Sequence, residues 1–395
     1  MSRIRYHIRN FFVAIILLTL GGVYTLQAQT GELRRPGQGV RNLGMGNTGI
    51  GLSFDENALF YNPAGLASVD SILVGFPFLW EVSTDSVSII KEISALSGDS
   101  ATADIVALLM GKNVHFRSLI DLNLVMPFGD LMTFGAASGV ETQFEFGVRN
   151  PVAIEINFGF RLDKIQNYGF AMPVARGRWL LGAGIETIER CDIPLTTATF
   201  GTVLSNSNIS SSFGSCSLTE LKRAQTYNFG FQKRLETASA LKMTWGMTAY
   251  NVGGLKFSRA DNATSPADQN PEYGMGFSWQ PSWGPVRLLY AIDIRDLNMK
   301  HADDTYCQST KGTDCLWKRL HMGTEIGIFP IDSGASTFAV RVGFNQGYFT
   351  YGFELNPFIF FRGLNIQYAV YKTETGSQIG DNPDERKVFQ LNFGF

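Results

Sequence analysis

The sequence predicts an all-β chain, folded as an antiparallel transmembrane β-barrel of about 14 strands. Three observations predict it. The chain contains runs of apolar/polar alternation close to ten residues long. It is rich in Gly and Phe and poor in charge. An export-type leader precedes the alternating part.

The leader comes first. Arg3, Arg5 and Arg9 precede a short apolar run at 11–20, Gly21 and Gly22 follow, and Leu26-Gln27-Ala28 closes on a small residue. This order is that of a cleaved secretory signal over 1–28. A membrane anchor is the competing reading, but the run falls short of the ~20 residues a helix needs to span a bilayer. No Cys stands at the cleavage region, so a lipid-attached N-terminus is not expected.

Composition excludes several classes. With 395 residues the chain could hold two or three soluble domains, but 42 Gly, 31 Phe and only 17% charged residues are unusual for a soluble enzyme. Beyond the leader no apolar stretch is long enough for a helical span. A net charge of −2 without a basic block argues against nucleic-acid binding. Cys191 with Cys216, and Cys307 with Cys315, form two close pairs without the His spacing of a metal site. In an oxidising compartment they read as two local disulfides, and no cofactor is implied.

The strands follow from alternation. Leu241, Met243, Trp245 and Met247 alternate with Lys242, Thr244, Gly246 and Thr248. Val286, Leu288, Tyr290, Ile292 and Ile294 oppose Arg287, Ala291, Asp293 and Arg295. Phe338, Val340, Val342 and Phe344 oppose Ala339, Arg341 and Gly343. Phe349, Tyr351, Phe353 and Leu355 oppose Thr350, Gly352, Glu354 and Asn356. Leu364, Ile366, Tyr368 and Val370 oppose Asn365, Gln367 and Ala369. A soluble β-sandwich also alternates, but these outward faces stay aliphatic and aromatic over the length of a tilted membrane strand. The chain ends in such a run, Phe389, Leu391, Phe393 and Phe395 against Gln390, Asn392 and Gly394. A terminal Phe on an amphipathic last strand resembles the signal by which the barrel assembly machinery recognises its clients, which makes Phe395 the expected contact for that partner.

Turn spacing gives the count. Short turns fall near 127–130, 175–178, 235–238, 281–284, 330–334 and 357–361. Long connections fall at 81–112, 191–222, 252–269, 297–316 and 374–386. Short periplasmic and long outer connections alternate if 150–175 is one long, irregular strand and 345–347 an outer turn with almost no loop. Both chain ends then lie in the periplasm, Trp179, Trp279 and Trp283 sit at the periplasmic rim, and both Cys pairs fall in outer loops.

Ahead of the first strand, Gly44, Gly46 and Gly49 match G-x-G-x-x-G. A dinucleotide site needs a preceding apolar strand and a following helix, and neither flank is present. The glycines instead mark backbone that needs close approach or positive φ. The pattern Gly44-Met45-Gly46, then Asp55, then Asn62-Pro63-Ala64-Gly65-Leu66 resembles the N-terminal signature of the FadL-type long-chain fatty acid transporter superfamily, which includes PorV-like secretion proteins. Asp293-Ile294-Arg295-Asp296-Leu297 and His321-Met322-Gly323-Thr324-Glu325 resemble it too. The resemblance implies that residues 29–67 fold into the lumen as a hatch, with 68–395 as the barrel. Asp55 and Glu56 would then pair with lumen cations such as Arg287, Arg295 or Arg341.

Three functions follow for a barrel in the bacterial outer membrane, where lipid surrounds it. The first, implied by the resemblance, is passive uptake of hydrophobic molecules such as long-chain fatty acids. Loop 81–112 offers a capture surface in two apolar patterns, Val87, Ile90, Ile93 and Leu96, then Ile105, Val106, Leu108, Leu109 and Met110. Those residues could equally pack on one another and on the barrel mouth. The second is a PorV-like partner in secretion or surface attachment. The third, an enzyme, lacks a nucleophile motif beside His115, His301 or His321. Glu186, Arg287, Asp293, Arg295, Glu325, Arg341 and Glu354 face inward by alternation, either as a balanced network holding the hatch or with one Arg receiving a ligand carboxylate.

Overall fold

The computed structural model describes residues 35–52, 55–93, 108–149, 155–199, 221–236, 241–257, 266–301, 304–310, 312–330, 336–357, 363–376 and 378–394. The expected leader, Cys216, Leu96, Ile105, Val106 and Phe395 lie outside them.

Among the described residues, 14 antiparallel strands close into one barrel, each paired with its neighbours in sequence and the first with the last. They are β1 (Leu73–Ser83), β2 (Asn113–Phe128), β3 (Met132–Arg149), β4 (Glu155–Val174), β5 (Trp179–Thr199), β6 (Lys222–Glu236), β7 (Leu241–Val252), β8 (Glu272–Trp283), β9 (Val286–Ile294), β10 (Leu320–Pro330), β11 (Ser336–Asn345), β12 (Tyr348–Leu355), β13 (Leu364–Glu374) and β14 (Pro383–Gly394). The count and the loop parity agree with the turn spacing. Of the 150–175 stretch, Glu155–Val174 forms one strand, β4, carrying an irregularity against β5 at Phe158–Phe160. The tight outer turn is a two-residue hairpin in which Gln346 and Gly347 both take positive φ, as a type I′ turn requires.

The wall has two faces. Phe349, Tyr351, Phe353 and Leu355 of β12 are 41–55% exposed, whereas Thr350, Gly352 and Glu354 between them are buried. The same alternation runs along β11, where Phe338, Val340, Val342 and Phe344 point outward. A ring of exposed aromatic and aliphatic side chains is unstable in water and stable in lipid. Aromatic pairs reinforce that surface near the periplasmic ends. Trp179 packs on Phe231 at 5.1 Å and lies under the Lys233 ammonium at 4.5 Å, and Trp279 stacks on Tyr290 at 5.2 Å. The Trp283 side chain lies outside the described residues.

The lumen is filled. Residues 35–52 and 55–69 lie inside the barrel, with two short helices, α1 (Val40–Gly44) and α2 (Ala58–Tyr61), followed by a 3-10 turn over Pro63–Ser68. Three apolar contacts join them to the wall. Val40 and Leu43 pack with Leu79, Leu119 and Val388. Leu59, Leu66 and Val69 pack with Val125, Ala137 and Ala171. Met45 and Leu52 pack with Leu289 and Ala291.

At the outer mouth, α3 (Thr84–Ile93) continues from β1. Its first turn is tied down where Asp85 accepts from the Asn113 amide and Thr84 donates to Glu385. Ile89 is buried; the side chains of Ile90 and Ile93 are outside the described residues. Leu108, Leu109 and Met110 are half-buried, and Met110 forms a bridge to Val148. In the loop after β9, α4 (Thr305–Thr310) and α5 (Thr313–Arg319) are joined by the Cys307–Cys315 disulfide. Cys191 is also disulfide-bonded.

Candidate functional site: the lumenal hatch and its seat

The seat is made of small residues. Gly135 on β3, Gly169 on β4, Gly182 on β5, Gly230 on β6, Gly246 on β7, Gly276 on β8, Gly323 on β10, Gly343 on β11 and Gly352 on β12 all meet the hatch. At Gly182 an added Cβ would stand 2.2 Å from the Ala64 nitrogen, and at Gly323 2.2 Å from the Met45 carbonyl. Register shows why these residues form one belt. Gly135 pairs with Gly169, Gly182 with Gly230, Gly246 with Gly276, and Gly323 with Gly343. Between those pairs the belt steps two residues toward the periplasm. Gly169 faces Gly184 rather than Gly182, and Gly230 faces Thr248 rather than Gly246. A barrel's strands tilt against its axis, so this repeated step keeps the belt level.

The motif residues fit into that seat. Gly44 ends α1, and a Cβ there would touch the Cβ of Ala369 at 3.4 Å. Gly46 has φ +67 and lies so close to the Met322 and Phe344 carbonyls that no side chain fits. Gly49 lies under the Tyr61 ring. The glycine triad therefore packs against protein backbone and rings. Asn62 is fully buried. Its side-chain oxygen accepts from the Ala64 amide at 3.1 Å and its Nδ2 donates to the Ile50 carbonyl at 2.7 Å and the Phe231 carbonyl at 3.3 Å. One side chain thus caps the Pro63–Ser68 turn, ties the hatch to itself, and fixes it to β6.

Polar latches complete the attachment. The Asp293 carboxylate accepts the Gly49 amide at 2.6 Å and the Ile50 amide at 2.9 Å. His321 Nδ1 bonds the Gly46 carbonyl at 2.9 Å, so it donates. Arg295 donates to the Asn47 carbonyl and lies over the Tyr61 ring at 4.8 Å. The strongest latch centres on Glu325, 1% exposed. It receives Arg41 of the hatch through Nε at 2.9 Å and Nη2 at 3.0 Å, Arg287 at 3.0 Å and Arg341 at 2.8 Å. Arg341 also meets Glu354. Burial alone would lower the Arg41 pKa; the Glu325 and Asp55 carboxylates more than reverse this and hold the guanidinium charged.

Several expected pairings are redistributed. Asp55 meets Arg41 at 2.9 Å, a partner within the hatch, rather than Arg287, Arg295 or Arg341. Glu56 accepts from Asn392 at 3.2 Å. Burial, with the Asp55 carboxylate beside it, pushes the Glu56 carboxyl up to about 7. Arg41 and Arg35 were not singled out from the sequence. Arg35 reaches Glu272 through Nε at 3.0 Å and lies over the Tyr250 ring at 4.2 Å. Their signal was visible as the two charges of 35–54, in a segment bound for the lumen. A second network was also missed. Arg117 bridges Glu81 and Glu141, each at 3.1 Å, His115 reaches Glu81 at 2.8 Å, and Glu141 accepts the Gly37 amide at 3.2 Å. Glu81 interrupts an apolar strand, which is how a lumen-facing carboxylate shows itself.

On the outer side of the hatch, a cavity of about 20 Å³ lies between the hatch and the outer halves of β5, β6 and β7, lined by Arg35, Phe60, Glu186, Ile188, Asn228 and Tyr250 among others.

No protein-family model matches the chain. No curated protein matches it either. Solved structures do. The toluene transporter TbuX of Ralstonia pickettii aligns over 90% of this chain and 97% of its own, at 11% identity and TM-score 0.50. The toluene transporter TodX of Pseudomonas putida covers 93% and 98% at 10% identity and TM-score 0.47. A FadL homologue of Pseudomonas aeruginosa covers 92% and 99% at 8% identity and TM-score 0.39. The chain therefore shares the fold of the toluene transporter TbuX, here a closed 14-strand barrel with its own N-terminal segment inside.

Proposed function

We propose that this barrel lets hydrophobic small molecules, long-chain fatty acids among them, cross the bacterial outer membrane passively, with residues 29–67 as a displaceable hatch. The observation that supports it most is how the lumen is closed. Residues 35–69 fill it through packing, hydrogen bonds and ion pairs, and the described cavity beside them has room for only a single small group. A solute passes when the hatch moves, and a channel built this way admits no bulk water at rest. The hydrophobic cargo is inferred from the fold shared with a toluene transporter. In this reading Arg295 latches the hatch directly, while Arg287 and Arg341 hold Glu325, the carboxylate that receives Arg41 of the hatch. Leu108, Leu109 and Met110, half-buried just before β2, form part of an outer capture surface.

The test is uptake by cells making this chain. Labelled long-chain fatty acid should enter faster than in cells lacking it, and a hydrophilic sugar of similar mass should not. Equal gains for both solutes would make it a general porin. No gain for either, with a partner protein co-purifying in equal amount, would favour a PorV-like secretion role.

A further inference from the structure

The cavity outside the hatch has an unusual lining for a channel proposed to pass hydrophobic molecules. Tyr250 is 5% exposed, and its hydroxyl has no hydrogen-bond partner among the described residues. Arg35 spends Nε and Nη2 on Glu272, while its Nη1 is buried without a partner among them. Glu186 is 7% exposed and accepts Asn228 Nδ2 on Oε2 at 2.9 Å. The rest of the nearby lining includes the apolar side chains of Phe60 and Ile188. Buried polar atoms without partners are rare in folded proteins and mark a place where something else supplies the bond.

We propose that this cavity is a head-group subsite for a neutral hydroxyl on an otherwise apolar body, such as an alkylphenol or a long-chain alcohol. The chemistry selects that group. A hydroxyl accepts from Arg35 Nη1 or the Tyr250 hydroxyl and donates one proton to Glu186. Its apolar stem lies along Phe60 and Ile188 and leaves toward the outer mouth, where Asn251 and Gln269 border the cavity. A carboxylate head would face the Glu186 carboxylate. A bare hydrocarbon would leave the donors unpaired, and a site built around a hydroxyl rejects an analogue lacking it far more strongly than a greasy pocket rejects an extra methylene. The cavity volume admits the hydroxyl alone, with the ring or chain outside it.

This assignment rests on the uptake reading above, and its test separates the two. Binding of 4-hexylphenol and of hexylbenzene to the purified full-length barrel is measured by native mass spectrometry, and uptake of both by cells. The phenol should bind at least tenfold more tightly than the hydrocarbon. Tyr250→Phe, which keeps shape, and Glu186→Gln should each reduce that preference severalfold and leave hexylbenzene binding unchanged. Equal binding of the two compounds by the unmodified protein, or a preference untouched in both variants, would overturn the subsite while uptake of both left the channel reading intact. Failure of both compounds to bind and to enter would overturn both.

Discussion

Replacing Arg41 by Gln tests whether the Glu325 cluster holds the hatch shut. The substitution removes two hydrogen bonds to Glu325 and one to Asp55. Breaking a buried ion pair destabilises by about 3–5 kcal/mol when the remaining charge is stranded. Here Glu325 keeps Arg287 and Arg341, and Asp55 is 18% exposed, so the loss should be smaller. An estimate of about 2–3 kcal/mol corresponds to roughly a 30- to 150-fold larger undocked population. Glu325→Gln removes the same hatch contact from the other side and leaves Arg41 on Asp55 and Arg341 on Glu354, so it should raise undocking over a similar range, roughly 30- to 150-fold. A cysteine at Thr48, a fully buried hatch position, reports undocking by its rate of maleimide labelling. The native Cys191, Cys307 and Cys315 are disulfide-bonded and do not compete. Because the two residues contact each other, the double variant should label far more slowly than the product of the single effects predicts. Labelling unchanged in both single variants, with the barrel folded by heat-modifiable gel mobility, would refute the latch.

Other outcomes follow from the same geometry. Gly182→Val places a side chain where the Ala64 backbone lies, so the barrel should still fold but conduct ions in planar bilayers, with the hatch unable to seat. Hatch docking should weaken as pH rises. The docked Glu56 carboxyl is pushed up to about 7, so the stability it contributes is present at acid pH and lost as pH climbs through that value. Measured against the rate of an exposed thiol at the same pH, Thr48→Cys labelling should therefore quicken between about pH 4.5 and 7, and Glu56→Gln should flatten that ratio. Replacing Cys307 and Cys315 by Ser opens a loop whose closure stabilises by about 2–3 kcal/mol in the chain-entropy account. The outer loop should become protease-sensitive while the barrel remains intact.

The strands were legible because lipid and lumen impose opposite demands on alternate residues, and β7, β9, β11, β12 and β13 obey them almost residue by residue. The hatch was legible only through the resemblance carried by Asn62-Pro63-Ala64; that Asn62 caps this turn came from the structure. What the sequence hid depends on register. Gly182 and Gly246 are 64 residues apart by their numbering, and only strand pairing with its two-residue steps shows that they share a belt. Charge partners were hidden for the same reason. Alternation places Arg287, Glu325 and Arg341 in the lumen, but says nothing of Arg41 reaching them across it. The Asp55 pairing went astray because Arg41, one helix away, is closer than any wall cation.

The most direct test of the account is a tether between hatch and wall. With Cys at both Gly44 and Ala369, the two Cβ atoms would lie about 3.4 Å apart, within reach of a disulfide. Cells making this variant are given labelled long-chain fatty acid under oxidising and then reducing conditions. The account predicts uptake abolished in the oxidised form and restored on reduction. Equal uptake with the hatch locked would contradict it.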